Sequence, residues 1–133
     1  DMEREIIRFG KKVDAGAVFA FTQPIYDLEI LEIFLQKVSP IKVPVFLGIL
    51  PLLSYKHAEF MHNEVPGMYI PQRIRERLKE AKDRSSEMGI TIAREILDEA
   101  KQMVDGVYIM PSFGRFEMVS ELLEGIEMKG KKL

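Results

Sequence analysis

Thr22, Gln23 and Pro24 close an apolar run that begins at Ala17. A buried strand seldom ends in a polar amide followed by proline, and in βα architectures ligands sit at the carboxyl ends of strands. The Gln23 side chain donates and accepts hydrogen bonds at once, which suits the edge of a nitrogen heterocycle. A second group follows a second apolar run: Gly48-Ile49-Leu50-Pro51, then Ser54-Tyr55-Lys56-His57-Ala58-Glu59-Phe60. Tyr55, His57 and Phe60 bring aromatic and basic groups to a strand's carboxyl end, where they can stack on and orient a planar ligand. In Tyr108-Ile109-Met110-Pro111-Ser112-Phe113-Gly114-Arg115, an arginine opens a helix just beyond a strand, a position suited to a carboxylate or phosphate. Lys11 and Lys12, beside Asp14, form a fourth group, in which Lys12 suits a phosphate.

Each group also has a plainer reading. Gln23 is then a solvated residue in a loop leading into a helix, Phe60 a core residue of a capped helix, and Arg115 a surface arginine. Lys11 and Lys12 are then a solvated pair that complements a helix dipole. His57 and His62 are five residues apart, which does not match the i, i+4 spacing of a helical metal pair, so no metal site is expected.

The elements that must carry these groups alternate. Glu3 to Ala15 reads as a helix with Ile6, Ile7, Phe9 and Val13 at near-helical spacing, ended by Gly16. Ala17 to Phe21 has the continuous apolar character of a strand covered on both faces. Asp27 caps a helix whose buried stripe is Leu28, Leu31, Phe34, Leu35 and Val38, and which Pro40 breaks. Val43 to Leu50 is a second strand, ended by Gly48 and Pro51, and Ser54 caps a helix to about Glu64. After the Pro66-Gly67 turn, a helix begins at Ile70-Pro71 with Ile74, Leu78 and Ala81 on its apolar face. Met88, Ile92, Ile96, Ala100 and Met103 mark a long amphipathic helix to about Val104, and Gly106 to Met110 is a third strand. Arg115 to Ile126 closes the pattern as a helix, with a basic tail over 129–133.

Strands near 17–22, 44–50 and 106–110, separated by helices, predict an α/β fold with parallel strands and right-handed crossovers. Three strands do not close a barrel, which needs about eight. The expected architecture is the last three βα units of a (β/α)8 barrel in a single domain over 1–133. Such a chain exposes an open sheet edge and an apolar helix face, so either a homo-oligomer or a missing N-terminal half of the barrel is expected.

Composition narrows the function. With 19 basic and 21 acidic residues the net charge is −2, which gives no general attraction to nucleic acid or to an anionic membrane. The absence of cysteine excludes disulfides, thiolate catalysis and cysteine-based metal sites. No apolar run approaches the roughly 18 residues that span a bilayer. The charged N-terminus is unlike a signal peptide, and a soluble cytoplasmic protein is the expectation.

Taken in order, KVDAGA, TQPIYD, GILPL with SYKHAEF, VPGMYIP and GVYIMPSFGRFE resemble the methylenetetrahydrofolate reductase family over nearly the whole chain. QPIYD and YIMPSFGRFE look most like the bifunctional bacterial type, fused behind a homocysteine S-methyltransferase module. The resemblance implies a flavin-bearing (β/α)8 barrel that uses FAD and NAD(P)H to reduce 5,10-methylenetetrahydrofolate to 5-methyltetrahydrofolate. It implies that Gln23 contacts both the pterin and the nicotinamide. Phe60 then stacks on the benzoyl part of the folate or on the dinucleotide, and Arg115 lies on the folate side near the glutamate tail. Lys12 matches a lysine at the flavin's ribityl–phosphate region, with Lys11 and Arg8 at neighbouring flavin-side positions. His57 stands where other members carry a glutamine that contacts folate. The family's catalytic glutamate, on the first strand, and the aspartate near the flavin ring have no counterpart in these 133 residues. No catalytic residue is therefore expected here, and the chain alone is expected to be inactive. Two alternatives stay open: a non-catalytic folate- or nucleotide-binding or oligomerisation module, and another pterin-binding barrel such as a dihydropteroate synthase relative.

Overall fold

Three parallel strands stand side by side in chain order: β1 (Ala20–Pro24), β2 (Val45–Ile49) and β3 (Gly106–Ile109). The computed structural model describes residues 1–124 and, beyond them, only the backbone of 127–128 and 131–132. The helices are α1 (Met2–Asp14), α2 (Leu28–Val38), α3 (Tyr55–Glu64), α4 (Gln72–Ala81), α5 (Ser85–Ala100) and α6 (Glu117–Leu123). A short antiparallel pair joins β4 (Glu127–Met128) to β5 (Lys131–Lys132). The remainder of the expected tail over 129–133, and Ile126 at the expected end of the last helix, lie outside the described residues.

The caps form as anticipated. Asp27 accepts from the backbone N–H groups of Glu29 (3.0 Å) and Ile30 (3.4 Å), and Ser54 Oγ accepts from His57 N–H (3.0 Å). The core lies on one side of the sheet. Leu47 and Ile49 of β2, with Val107 and Ile109 of β3, pack against Leu31, Ile74, Leu78, Ile92, Leu97 and Leu122 of the helices. Those of them that are fully buried, such as Leu31, Leu47, Leu78, Leu97 and Leu122, each contribute roughly 1.5–3 kcal/mol relative to exposure, while Val107 and Ile109 are partly buried. The alternate strand positions, Phe21, Phe46 and Tyr108, lie outside that core and form an aromatic cluster on the opposite face, with Phe21 60% exposed. Strands in chain order, with helices on one face and aromatic side chains on the other, fit the wall of a partial TIM-like barrel.

The first strand differs from expectation in extent and in cover. It runs over Ala20–Pro24 rather than 17–22, because Ala20 N–H donates to Pro44 O (2.9 Å) and pairing continues to Pro24 opposite Gly48. Phe21 pairs with Phe46 and Pro24 with Gly48, so β1 holds one residue more than β2 across this step, a bulge at Thr22 and Gln23. It is also not covered on both faces: Phe19 and Phe21 are exposed, since the helices pack on the other side.

Gly48 does not end β2 but sits within it. A Cβ there would lie 2.7 Å from the Tyr108 hydroxyl oxygen, so a glycine is required by the aromatic ring that crosses it. Helix α5 ends at Ala100, with Met103 and Val104 in the turn after it. The last helix starts at Glu117 rather than Arg115, because Phe113 and Gly114 adopt left-handed backbone angles just before it. Helix α1 buries no residue; it is held to α2 by the Phe9–Phe34 ring pair (centroids 6.2 Å apart) and by the Lys37–Glu3 ion pair, leaving Ile7 exposed.

Candidate functional site

The loop that leaves β2 is held by four neighbours. The Tyr26 hydroxyl donates to Leu50 O (2.7 Å), Ser112 Oγ donates to Pro51 O, and Ser85 Oγ donates to Leu53 O (3.0 Å). Leu53 N–H in turn donates to His57 Nδ1 (3.1 Å). Residues 50–54 are thereby anchored to the segment after β1, the loop after β3, the start of α5 and the first turn of α3. Gly89 of α5 lies against the Leu52 carbonyl, which removes any room for a side chain there. Burial pushes the Tyr26 phenol well above its ordinary value of 10.0, so it remains a donor across the accessible pH range.

Gln23 projects from the bulge at the end of β1 and is exposed. The Thr22 hydroxyl beside it accepts from Gly48 N–H (3.0 Å) and donates to Gln23 O (2.8 Å), which fixes the backbone that carries the amide. The Pro66-Gly67 turn, closed by Met68 N–H donating to Val65 O (3.1 Å), approaches the same side chain; a Cβ on Gly67 would lie 3.3 Å from Gln23 Oε1.

His57 is half-buried, and burial lowers its pKa below the ordinary 6.5. Its ring lies 5.4 Å from that of Phe113, centroid to centroid. Phe60 is one helical turn further along α3, on the same side as His57. It is 57% exposed, and α3 buries Ala58 instead, so the plainer reading of Phe60 as a core residue is overturned. Arg115 is exposed in the loop beyond β3, where its N–H donates to Ser112 O (3.1 Å). It lies two residues before α6 rather than in it, and its carbonyl accepts from Met118 N–H (3.2 Å).

Residue type and spacing do not single out Phe113. It is 79% exposed and adopts φ 51°, ψ 36°, a conformation that costs a non-glycine residue on the order of 1 kcal/mol. Only its place between a strand end and Arg115 marked it in the sequence. A large apolar ring held exposed on a strained backbone at a strand's carboxyl end is a ligand-contact candidate.

The second histidine serves the next loop. His62 Nδ1 accepts from Ile70 N–H (3.1 Å), and its ring lies 5.5 Å from Tyr69. Arg75 joins the same region, with Nε donating to Ile70 O (3.0 Å) and Nη1 to Glu59 (2.9 Å), and this holds the Glu59 carboxyl below its ordinary range.

Arg8, Lys11 and Lys12 lie on α1, exposed, and bond none of the strand-end groups among the described residues. Arg8 is engaged by Glu5 (3.0 Å). Lys11 and Lys12, in the last turn of α1, make no ion pair among the described residues and complement the helix dipole there. A cleft of about 360 Å³ lies elsewhere, between the start of α2 and helices α4 and α5, among Asp27, Arg73, Arg77 and Glu95. Its charges are already engaged in part, Asp27 as a helix cap and Arg77 with Glu95 (2.6 Å), and Gln23, His57, Phe60, Phe113 and Arg115 do not line it. No cluster of three or more potential metal ligands occurs among the described residues, and no helix there is long and apolar enough to cross a membrane.

A three-stranded parallel sheet with helices on one face fits part of a TIM-like barrel, and amide, imidazole, aromatic and guanidinium groups lie at the carboxyl ends of its strands. The family model for methylenetetrahydrofolate reductase matches residues 1–122. The chain belongs to the methylenetetrahydrofolate reductase family, a family of folate-related oxidoreductases.

Proposed function

We propose that this chain supplies the folate side of a methylenetetrahydrofolate reductase site, as the last three βα units of a (β/α)8 barrel that reduces 5,10-methylenetetrahydrofolate to 5-methyltetrahydrofolate. The observation that carries this reading is the set of groups at the carboxyl ends of three adjacent strands: Gln23 in the bulge near the end of β1, His57 and Phe60 after β2, and Phe113 and Arg115 after β3. Gln23 pairs with the pterin edge and with the carboxamide of NAD(P)H, Phe60 and Phe113 offer rings to the benzoyl group, and Arg115 meets the glutamate carboxylates. Lys12 would hold the ribityl–phosphate region of FAD, with Lys11 and Arg8 at neighbouring flavin-side positions. Bound FAD supplies the hydride chemistry, while these side chains bind and orient. The family's catalytic glutamate has no counterpart on β1, β2 or β3, so the 133-residue chain by itself does not turn over.

Gln23→Ala in the assembled enzyme tests the reading: folate reduction and NAD(P)H oxidation should both weaken, because one amide serves both ligands. Unchanged kinetics for both substrates would remove Gln23 from the site. Sustained NADH oxidation by the purified chain would refute the claim that it is inactive alone. FAD co-eluting with the chain on a sizing column would show that α1 and its neighbours retain the cofactor.

The exposed aromatic face of Phe19, Phe21, Phe46 and Tyr108 favours a second reading beside the first, in which the chain associates through this face with further strands or with a second copy. A strictly monomeric, well-folded species in solution would sink it.

A further inference from the structure

We infer that His57 is locked by Leu53 as the Nε2–H tautomer, and that it reads the ligand as a hydrogen-bond donor only, selecting a carbonyl or carboxylate oxygen. The lock follows from the loop geometry. A backbone N–H can only donate, and Leu53 N–H points at Nδ1 from 3.1 Å. Nδ1 must therefore present its lone pair, and in a neutral imidazole the single proton is then on Nε2. The backbone around this contact is fixed independently, by Ser54 Oγ accepting from His57 N–H (3.0 Å) and by Ser85 Oγ donating to Leu53 O (3.0 Å). The tautomer is thus set by the fold.

The other ring nitrogen is available. Nε2 bonds no protein atom among the described residues, and none of their buried side-chain nitrogens or oxygens lacks a partner, so Nε2 reaches solvent. The Phe113 ring lies against the imidazole and narrows its surroundings to an aromatic contact on one side. Among the described residues no carboxylate or cation bonds the ring.

The consequence is chemical selectivity, and it rests on the folate reading of the site. A primary amide at this position presents a donor or an acceptor by rotating its end group, whereas His57 in its neutral form presents only N–H. In a folate-class ligand the pterin edge carries both donors and acceptors and suits Gln23. The benzamide carbonyl and glutamate carboxylates carry acceptors only, and these are what His57 selects.

Two measurements on the chain test this. Nitrogen-15 spectra of the histidine side chains read the tautomer directly: Nε2 protonated with Nδ1 as acceptor is expected, and an Nδ1–H form or an exchanging mixture would overturn the lock. Affinity for p-aminobenzoylglutamate tests the donor role. His57→Phe keeps a ring but loses both the Nε2 donor and the Nδ1 acceptor for Leu53 N–H, and should bind about fivefold more weakly, whereas His57→Gln, which restores a donor, should remain within about twofold of the native chain. Equal affinity in all three would overturn the donor role. No binding of the probe by the native chain would strike down the folate reading and the acceptor pairing with it; the tautomer lock would still be decided by its own spectrum.

Discussion

The hydroxyl of Tyr108 on β3 donates to the carbonyl of Thr22 on β1, and the ring that carries it crosses Gly48 of the strand between them. The two outer strands are thereby linked over the middle one, on the face that the helices leave uncovered. Burial raises the Tyr108 phenol above its ordinary value, so the donor is retained through neutral and mildly alkaline pH.

This link has a measurable cost when disturbed. Gly48→Ala should destabilise the chain by about 1–3 kcal/mol through overpacking, and Tyr108→Phe by about 1 kcal/mol through the lost hydrogen bond. The double variant should be less unstable than the sum, because removing the hydroxyl relieves part of the clash. Urea unfolding of the three variants checks this, and strict additivity would argue against contact between the two sites.

Two helix glycines should respond in opposite directions. A Cβ at Gly89 would lie 1.6 Å from the Leu52 carbonyl oxygen, a clash with backbone, so Gly89→Ala must displace α5 and should cost at least about 2 kcal/mol. Gly10, in α1, has nothing within 4 Å of the same position, and Gly10→Ala should stabilise by about 0.5–1 kcal/mol. Thermal melts of both variants give the answer, and a tolerated Gly89→Ala would contradict the packing described.

Stability should fall in two stages on acidification. His57 has a folded pKa lowered by burial, so the unfolded chain binds its proton first, and stability declines as pH drops below the ordinary 6.5. Glu59 and Glu95 have folded pKa values lowered by their hydrogen bonds to Arg75 and Arg77; their contribution is present above the ordinary 4.5 and is lost as pH falls through their folded values. Denaturant midpoints followed from pH 8 down to well below the ordinary carboxylate value of 4.5 should show both stages, and His57→Gln should abolish the upper one alone. Persistence of the upper stage in that variant would assign it to another group.

Phe60 should separate binding from stability. Because it is exposed, Phe60→Ala should change unfolding free energy by less than about 0.5 kcal/mol. The loss of a stacking ring should weaken p-aminobenzoylglutamate binding by about threefold to tenfold. A large drop in melting temperature with unchanged affinity would return Phe60 to a structural role.

Much of the local structure was legible because its causes are local. Asp27 and Ser54 cap the helices that follow them, within three residues in each case. The alternation of apolar runs and amphipathic stretches carries the order of strands and helices, and Gln23, His57, Phe60 and Arg115 were marked by their positions after strand ends. Phe113 was passed over because its exposure and left-handed backbone leave no trace in residue type. Arg115 falls outside the last helix because Phe113, a residue type that seldom takes left-handed angles, does so beside Gly114, and only Gly114 signals such a turn in the sequence.

What the amino-acid sequence alone determined is therefore the class of fold, the order of its elements, the family, and most of the residues beyond the strand ends. Periodicity, capping and motif order are properties of neighbouring residues, and they survive without knowledge of the fold. Tertiary structure decided which sheet face is covered, why position 48 must be glycine, which nitrogen of His57 carries the proton, and that Phe60 faces outward. The strands are apolar on both faces, so composition does not distinguish the helix-covered side from the aromatic one. The deciding contacts join residues far apart in the chain, such as Tyr108 and Thr22, 86 positions apart, and arise only when the strands are laid side by side.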